Sequence, residues 1–279
     1  MKYLILIHIL VFTGISQTLT YNDSLKLKAD SMYIQPFVNN AFVPGERLNF
    51  KIKWKASFIS ITGGYAKMQV LDTVRVRNRK CYLIMVTAES TPFIENFYEV
   101  RDTIKSYIDV EYGMSWKFVK KTREASYFVD IFIDYDHVRG TADVREYRYK
   151  NREGTEIERQ EIYSTEIYPF TQDILSSFYF MRANRVESGF PYKIPNNSKR
   201  KNYYLRVLVN PIEEQSVNAG DFNAFRVLPI IEGESIFNQE GAMVIWMTND
   251  KRHLPIRMKS AVSVGSINVE LESYSGLAK

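Results

Sequence analysis

The chain has 279 residues, 45% hydrophobic and 14% aromatic, with 37 Lys and Arg against 32 Asp and Glu for a formal charge of +5. Its one cysteine, Cys81, excludes an internal disulfide, and with only three histidines a zinc site of several His or Cys ligands is excluded as well. Cations alternate with anions instead of collecting in a block, so nucleic acid is not an expected partner.

The first element is a leader. MKYLILIHILVFTGISQTLT has Lys2, an apolar run from Tyr3 to Phe12 and small residues at Gly14 and Ser16. That pattern predicts a secretory signal peptide over residues 1–20, cleaved near 16–20. The run is shorter than the roughly 20 apolar residues of a membrane-spanning helix, and no later segment is long enough, so no transmembrane segment is expected in the mature chain. Losing Lys2 lowers the formal charge from +5 to +4. Cys81 is far from the cleavage point, so a lipid anchor on an N-terminal cysteine is not expected. The expectation is an exported protein, periplasmic or otherwise soluble in the cell envelope, and not a lipoprotein.

Residues 21–40 are polar, mixed in period and closed by Pro36, and read as a linker or N-terminal arm before a single β-rich domain over 41–279. After a turn at Pro44 and Gly45, Leu48, Phe50, Ile52 and Trp54 alternate with Asn49, Lys51 and Lys53. This predicts an antiparallel strand with one wet face. Period-two stretches recur in CYLIMVTA, SYFVDIFID, YYLRVLV and AMVIWMT, separated by turn residues and without the helices that parallel crossovers need. The fold class is therefore mainly β. A long antiparallel meander forms a curved sheet or half-barrel packed around one central helix; a β-sandwich is the alternative. YKNREGTEIERQEIYSTEIYP is expected to be an exposed excursion, a hairpin or a short helix, and NNSKRKN an exposed loop.

The central helix is QDILSSFYFMR, predicted over 171–183. It is apolar nearly all round, which suits burial inside the sheet. Thr171 can cap it, Asp173 suits its positive N-terminal end and Arg182 its C-terminal end. Asp173 and Arg182 are nine residues apart, roughly 13.5 Å at the helical rise. They cannot pair with each other, so each, if buried, needs its own partner from the sheet.

No HExxH, CxxC, nucleophile elbow or phosphate-binding loop occurs, and no cofactor or metal is expected. His137, in YDHVRG, and His253, in TNDKRHLPIR, read as exposed turn residues, and Cys81 as a small core residue. No catalytic residue is assigned. The carboxylates kept as candidates for glycan hydrolysis are Asp102 and Asp173, each with a structural reading beside it: a strand ion pair and a helix-end residue. Phe178, Tyr179 and Trp246 are the candidates for lining a ligand site, since a concave aromatic surface can hold sugars or acyl chains.

FVPGERLNFKIKW, FYEVRDTIKSYID, QDILSSFYFMR, NAGDFNAFRVLP and VIWMTNDKRHLPIRMKSAVSVGSINVEL follow one another between Phe42 and Leu271. In that order they resemble a bacterial envelope family catalogued as domain of unknown function 3108, and the leader ending near SQ looks like those of exported Bacteroidetes proteins. The resemblance implies an exported, predominantly β protein and carries over no catalytic residues. A curved sheet around a helix is also similar in outline to the lipoprotein carriers LolA and LolB, which hold acyl chains in that cavity. The resulting expectation is a non-enzymatic envelope protein that binds a lipid or another hydrophobic envelope component. A carboxylate-dependent hydrolase of cell-wall polymers and a structural interaction module are the alternatives. The sequence leaves the oligomeric state open.

Overall fold

The computed structural model describes residues 20–184, 187–189, 192–231 and 243–279. The expected signal peptide lies outside the described residues up to residue 19. The segment expected to be a linker or N-terminal arm carries a helix, α1 (Tyr21–Ser31). Its sequence has too few apolar residues for a helical stripe, and the signal is in the cap instead. Thr20 Oγ1 accepts from the backbone N–H of Asp23, whose carboxylate accepts in return from Thr20 N at 3.0 Å.

Gln35–Lys279 form one compact unit built on a single antiparallel sheet of 14 strands. From its middle the chain runs outward through β1 (Arg47–Ala56), β2 (Ile59–Val76), β3 (Arg79–Ser90), a short helix α2 (Pro92–Glu95), β4 (Arg101–Asp109) and β5 (Ser115–Glu124). It continues through β6 (Tyr127–Asp136), β7 (Thr141–Tyr149) and β8 (Ile157–Glu166), which forms one edge. Helix α3 (Ile174–Ala183) then carries the chain to the opposite edge, β9 (Tyr192–Ser198). The return path is β10 (Lys201–Val217), β11 (Gly220–Ile231), β12 (Met243–Thr248), β13 (Pro255–Ala261) and β14 (Ser266–Ser275). β14 pairs with β1, so the first and last strands meet at the centre of the sheet.

Alternation places Leu48, Phe50 and Ile52 of β1 inward and Lys51 and Lys53 outward, because successive strand residues face opposite sides. Register shifts in the β1–β14, β2–β3, β4–β5, β7–β8, β10–β11 and β12–β13 ladders insert bulges that bend and twist the sheet. Gly64 is required at the end of the β2–β3 ladder: a Cβ there would lie 2.3 Å from the carbonyl oxygen of Glu89.

Among the described residues, no backbone ladder joins the two edges. The β9–β10 turn instead clasps the far wing with side chains: Lys199 pairs with Glu146 at 2.7 Å, Asn202 Nδ2 donates to Glu166 O at 2.8 Å, and Tyr168 stacks on Tyr204. This is the expected half-barrel form. The highly charged excursion is the β7–β8 hairpin, and β8 exposes every second side chain or more. NNSKRKN departs from its expected exposure, since Asn196 and Asn197 are buried; the backbone of Gln172 bridges Asn196 as the chain enters α3.

The core lies between the inner face and α3. Leu48, Phe50, Ile84, Ile108 and Leu271 pack with Leu175 and Tyr179 in one cluster. Val207, Val227 and Met247 pack with Met181 in a second. Cys81 is buried, and burial pushes its thiol up to about 12.

Candidate functional site

Helix α3 is held at both ends by polar groups, and a cavity opens along its side. Its N-cap is Asp173, not Thr171. Thr171 and Gln172 are engaged elsewhere: Ser115 N donates to Thr171 O, and Gln172 N donates to Pro195 O at 2.8 Å. Asp173 Oδ1 accepts from the N–H groups of Leu175 and Ser176, both at 2.8 Å. Its Oδ2 accepts from the hydroxyls of Ser106 at 2.6 Å and Ser115 at 2.5 Å. The carboxylate is buried and its neighbours are hydroxyls and amides, so burial raises its pKa while these four hydrogen bonds pull against the rise.

Arg182 has a different solution. It is fully buried, and its guanidinium makes a two-pronged contact with the equally buried Glu46, at 2.7 and 2.9 Å. Its remaining donors reach Arg252 O at 3.2 Å and Ala41 O at 3.4 Å, and its plane lies over Tyr179 and Phe42, 5.0 and 5.6 Å from the ring centres. Asp173 and Arg182 thus reach separate partners, one of them hydroxyls and the other a carboxylate. Glu46 sits in the turn before β1, where the sequence shows nothing but an ordinary surface glutamate.

Between these anchored ends a cavity of about 350 Å³ lies between α3 and the inner face. Five methionines, Met68, Met181, Met243, Met247 and Met258, contribute to its wall. Val86 and Ile104 face them from β3 and β4, and Phe178 from the helix. Ser177 is the one polar residue of the lining, and its hydroxyl is bonded to Asp173 O at 2.6 Å and Asn196 Oδ1 at 2.7 Å. Ile174, also in the lining, is 49% exposed and marks where the cavity meets solvent.

Of the residues singled out for ligand contact, Phe178 lines this cavity. Tyr179 does not; it points into the core, edge-on to Phe42 at 4.9 Å. Trp246 does not either, because Met243, Ile245 and Met247 take the inward positions of β12 and leave Trp246 on the alternate face, its indole N–H bonded to Glu213. The methionines were the missed signal: two of the five, Met243 and Met247, lie with Ile245 at alternate positions of β12 in AMVIWMT.

The two candidate catalytic carboxylates are not brought together. Asp102 shares the inner face of β4 with Ser106, but four residues along a strand is roughly 13 Å, beyond the separation of a glycosidase pair. Burial, with Glu124 alongside, raises Asp102 to about 6 from its ordinary 3.8, although it accepts from Arg123 N at 2.9 Å. An acid raised in the fold stabilises most when neutral. Its contribution is present in full below about pH 4 and is lost as the pH climbs through about 6. Asp102→Asn is expected to flatten that part of the stability profile in urea titrations, and an unchanged slope would contradict the assignment.

Both histidines depart from the turn-exposed expectation. His137 is buried, donating from Nε2 to Ser115 O at 2.6 Å and meeting Trp116 edge-on at 5.0 Å. His253 turns back from the β12–β13 tip, and its Nδ1 donates to Arg182 O at 2.8 Å near the end of α3. Among the described residues, no group of three or more His, Cys, Asp or Glu side chains is gathered as metal ligands would be, and no helix is long and apolar enough to cross a membrane.

The profile of a family of proteins of unknown function, DUF3108, matches residues 49–272. A β-barrel-like protein of the DUF1849 family from Brucella abortus is similar in structure, with a TM-score of 0.55 at 12% identity over 87% of this chain and 100% of the other. That similarity concerns the fold. Weaker likenesses are to a candidate exported protein of YmcC-like fold from Bacteroides fragilis (TM-score 0.37, 9% identity, 86% of this chain and 99% of that one). A candidate lipoprotein from Parabacteroides distasonis is similar at a TM-score of 0.38 and 12% identity, over 86% of this chain and 100% of that one. No curated protein matches the sequence.

Proposed function

The chain belongs to the DUF3108 family of proteins of unknown function, and from that premise we infer a non-enzymatic, exported envelope protein that takes an apolar chain, such as the acyl chain of a lipid, into the cavity beside α3. One observation carries the reading: the cavity wall is apolar, and the groups that could bind water or charge face elsewhere. Ser177 is committed to Asn196 and to the helix backbone, Asp173 to Ser106 and Ser115, and Arg182 to Glu46. An apolar pocket of this size suits a hydrocarbon better than a sugar or an ion. Methionine walls add adaptability, since an unbranched thioether side chain repacks around chains of different shape.

The test is native mass spectrometry after gentle purification, with Met258→Trp as the variant that fills the cavity. The wild-type protein is expected to carry a lipid-sized adduct that Met258→Trp lacks, while both melt cooperatively. A clean apo mass for the wild-type protein, together with no binding of an acyl-chain dye, would refute the reading.

A further inference from the structure

Exposed apolar side chains are concentrated on three neighbouring turns at one end of the sheet. Phe58, between β1 and β2, is 94% exposed; Phe97 and Phe93, in the α2 connection between β3 and β4, are 77% and 62% exposed; Val264, between β13 and β14, is 66% exposed. Strand order brings these turns side by side. β13, β14, β1, β2, β3 and β4 are consecutive antiparallel neighbours, so the ends of β13, β1 and β3 lie beside the starts of β14, β2 and β4.

Specific contacts fix the turns to one another. Trp54 Nε1 donates to Val264 O at 2.9 Å, and Thr91 N donates to Gly63 O at 3.0 Å. Gly265, at φ +81°, lets the β13–β14 turn rest on the end of β1, where a Cβ would be 2.1 Å from Lys55 O. Phe93 and Phe97 meet edge to face at 5.8 Å.

A single exposed phenylalanine is ordinary, but several on adjoining turns mark an interaction site. These side chains stand on separate projecting tips, which is a shape for sinking between headgroups. The charge beside them points to the same partner. The outer face of β13, β14 and β1 carries Lys51, Lys53, Lys55, Arg257 and Lys259 against Glu270 and Glu272. Lys53, Lys55 and Arg257 all crowd the one carboxylate of Glu270, at 2.6, 3.5 and 3.8 Å, which leaves the face cationic. On the far side of the tips Arg101 meets three carboxylates, Glu89, Glu95 and Glu99, of which Glu99 is shared with Arg152, so the cationic excess lies on the β13, β14 and β1 side.

We propose that this end of the sheet docks on an anionic lipid surface, with Phe58, Phe93, Phe97 and Val264 entering the headgroup region and the lysine face of β1 and β13 lying against it. At the opposite end of the sheet, before the start of β1, Glu46 holds Arg182 of α3. The cavity residues Val86, Ile104 and Met258 lie three or four positions from the strand ends that carry the tips, roughly 10–13 Å. Docking would bring the lipid surface to the cavity's nearer end, yet the inference stands on the tips and the charge and does not require the cavity to be loaded.

Flotation with vesicles of phosphatidylethanolamine and phosphatidylglycerol, compared with phosphatidylcholine alone, tests it. The wild-type protein is expected to float with the anionic vesicles and far less with the neutral ones. The double variant Phe58→Ser, Phe97→Ser should lose at least about tenfold in partitioning, from the apolar surface withdrawn. Lys53→Gln with Lys55→Gln should erase the preference for anionic vesicles. Ile212→Ser, at an exposed site on β10, should change nothing. Because the tips are exposed, their variants should keep the wild-type melt. In Phe58→Trp, emission should shift to the blue on vesicles and be quenched by brominated acyl chains. Absence of flotation, flotation indifferent to the tips, or unquenched Phe58→Trp emission would overturn the proposal. So would tip variants that only dissolve a dimer, which would assign the end to a second copy of the chain. Met258→Trp separates the two readings: it should still float even though its cavity is filled.

Discussion

Arg182→Met is expected to cost about 3–5 kcal/mol of stability, the range for removing one partner of a buried ion pair. Methionine approximates the length of the side chain, so the loss is mainly electrostatic. Glu46, fully buried, would be left without its cation, and the carbonyls of Arg252 and Ala41 without a donor. A loss of that size lowers the melting temperature by roughly 6–20 °C for a domain of this size. Urea unfolding is the cleaner measurement, because a fall in midpoint at constant slope reads as stability alone. Glu46→Gln combined with Arg182→Met should recover part of the loss, since neither charge then remains. A single-variant loss below about 1 kcal/mol would mean that water reaches Glu46 and that the helix is not the buried plug described above.

Asp173→Ala should be the second most damaging change at this helix, at about 2–4 kcal/mol. It removes the N-cap, worth about 1 kcal/mol, and strands the buried hydroxyls of Ser106 and Ser115. Asp173→Asn separates cap from charge. The amide oxygen can still accept from Leu175 and Ser176, and the amide N–H groups can donate to the two hydroxyls. It should therefore cost far less. The pH dependence follows from the direction of the shift. Burial raises the folded-state pKa, so the contribution of Asp173 is fully present when the group is protonated, below its ordinary 3.8, and is lost as the pH rises through the folded value. Asp173→Asn should lack that decline. Measuring it in an Asp102→Asn background removes the other raised carboxyl from the profile, and a decline that persists there would assign it to a different group.

The strands were legible because each needs only its own alternation. Leu48, Phe50, Ile52 and Trp54 declare an inner face without reference to any other part of the chain. The helix was legible for the same reason, while its cap was misplaced by two residues: Thr171 and Asp173 are both good caps, and the bridge from Gln172 to Asn196 decides between them. Partners distant in sequence were not legible. Nothing local says that Glu46 waits for Arg182, 136 residues away, or that Ser106 and Ser115 face a carboxylate. His137 was misread because YDHVRG has turn composition, while the turn itself folds its ring against Trp116. The cavity was hidden because aromatic residues attracted attention and the methionines that line it did not. Strand alternation tells which residues face inward and leaves open how far apart they stand.

Pairing the first strand with the last has a consequence for assembly. Every ladder among the described strands joins neighbours in sequence except the β1–β14 seam, where residues 47–55 meet 266–275. Either wing can zip up hairpin by hairpin, whereas the seam must close a loop of more than two hundred residues and is the natural slow step. In a chain made from its N-terminus, β1 therefore spends the whole of synthesis as an open edge. Lys51, Lys53 and Lys55, alternating along its outward side, supply the charge that discourages another chain from pairing there before β14 arrives.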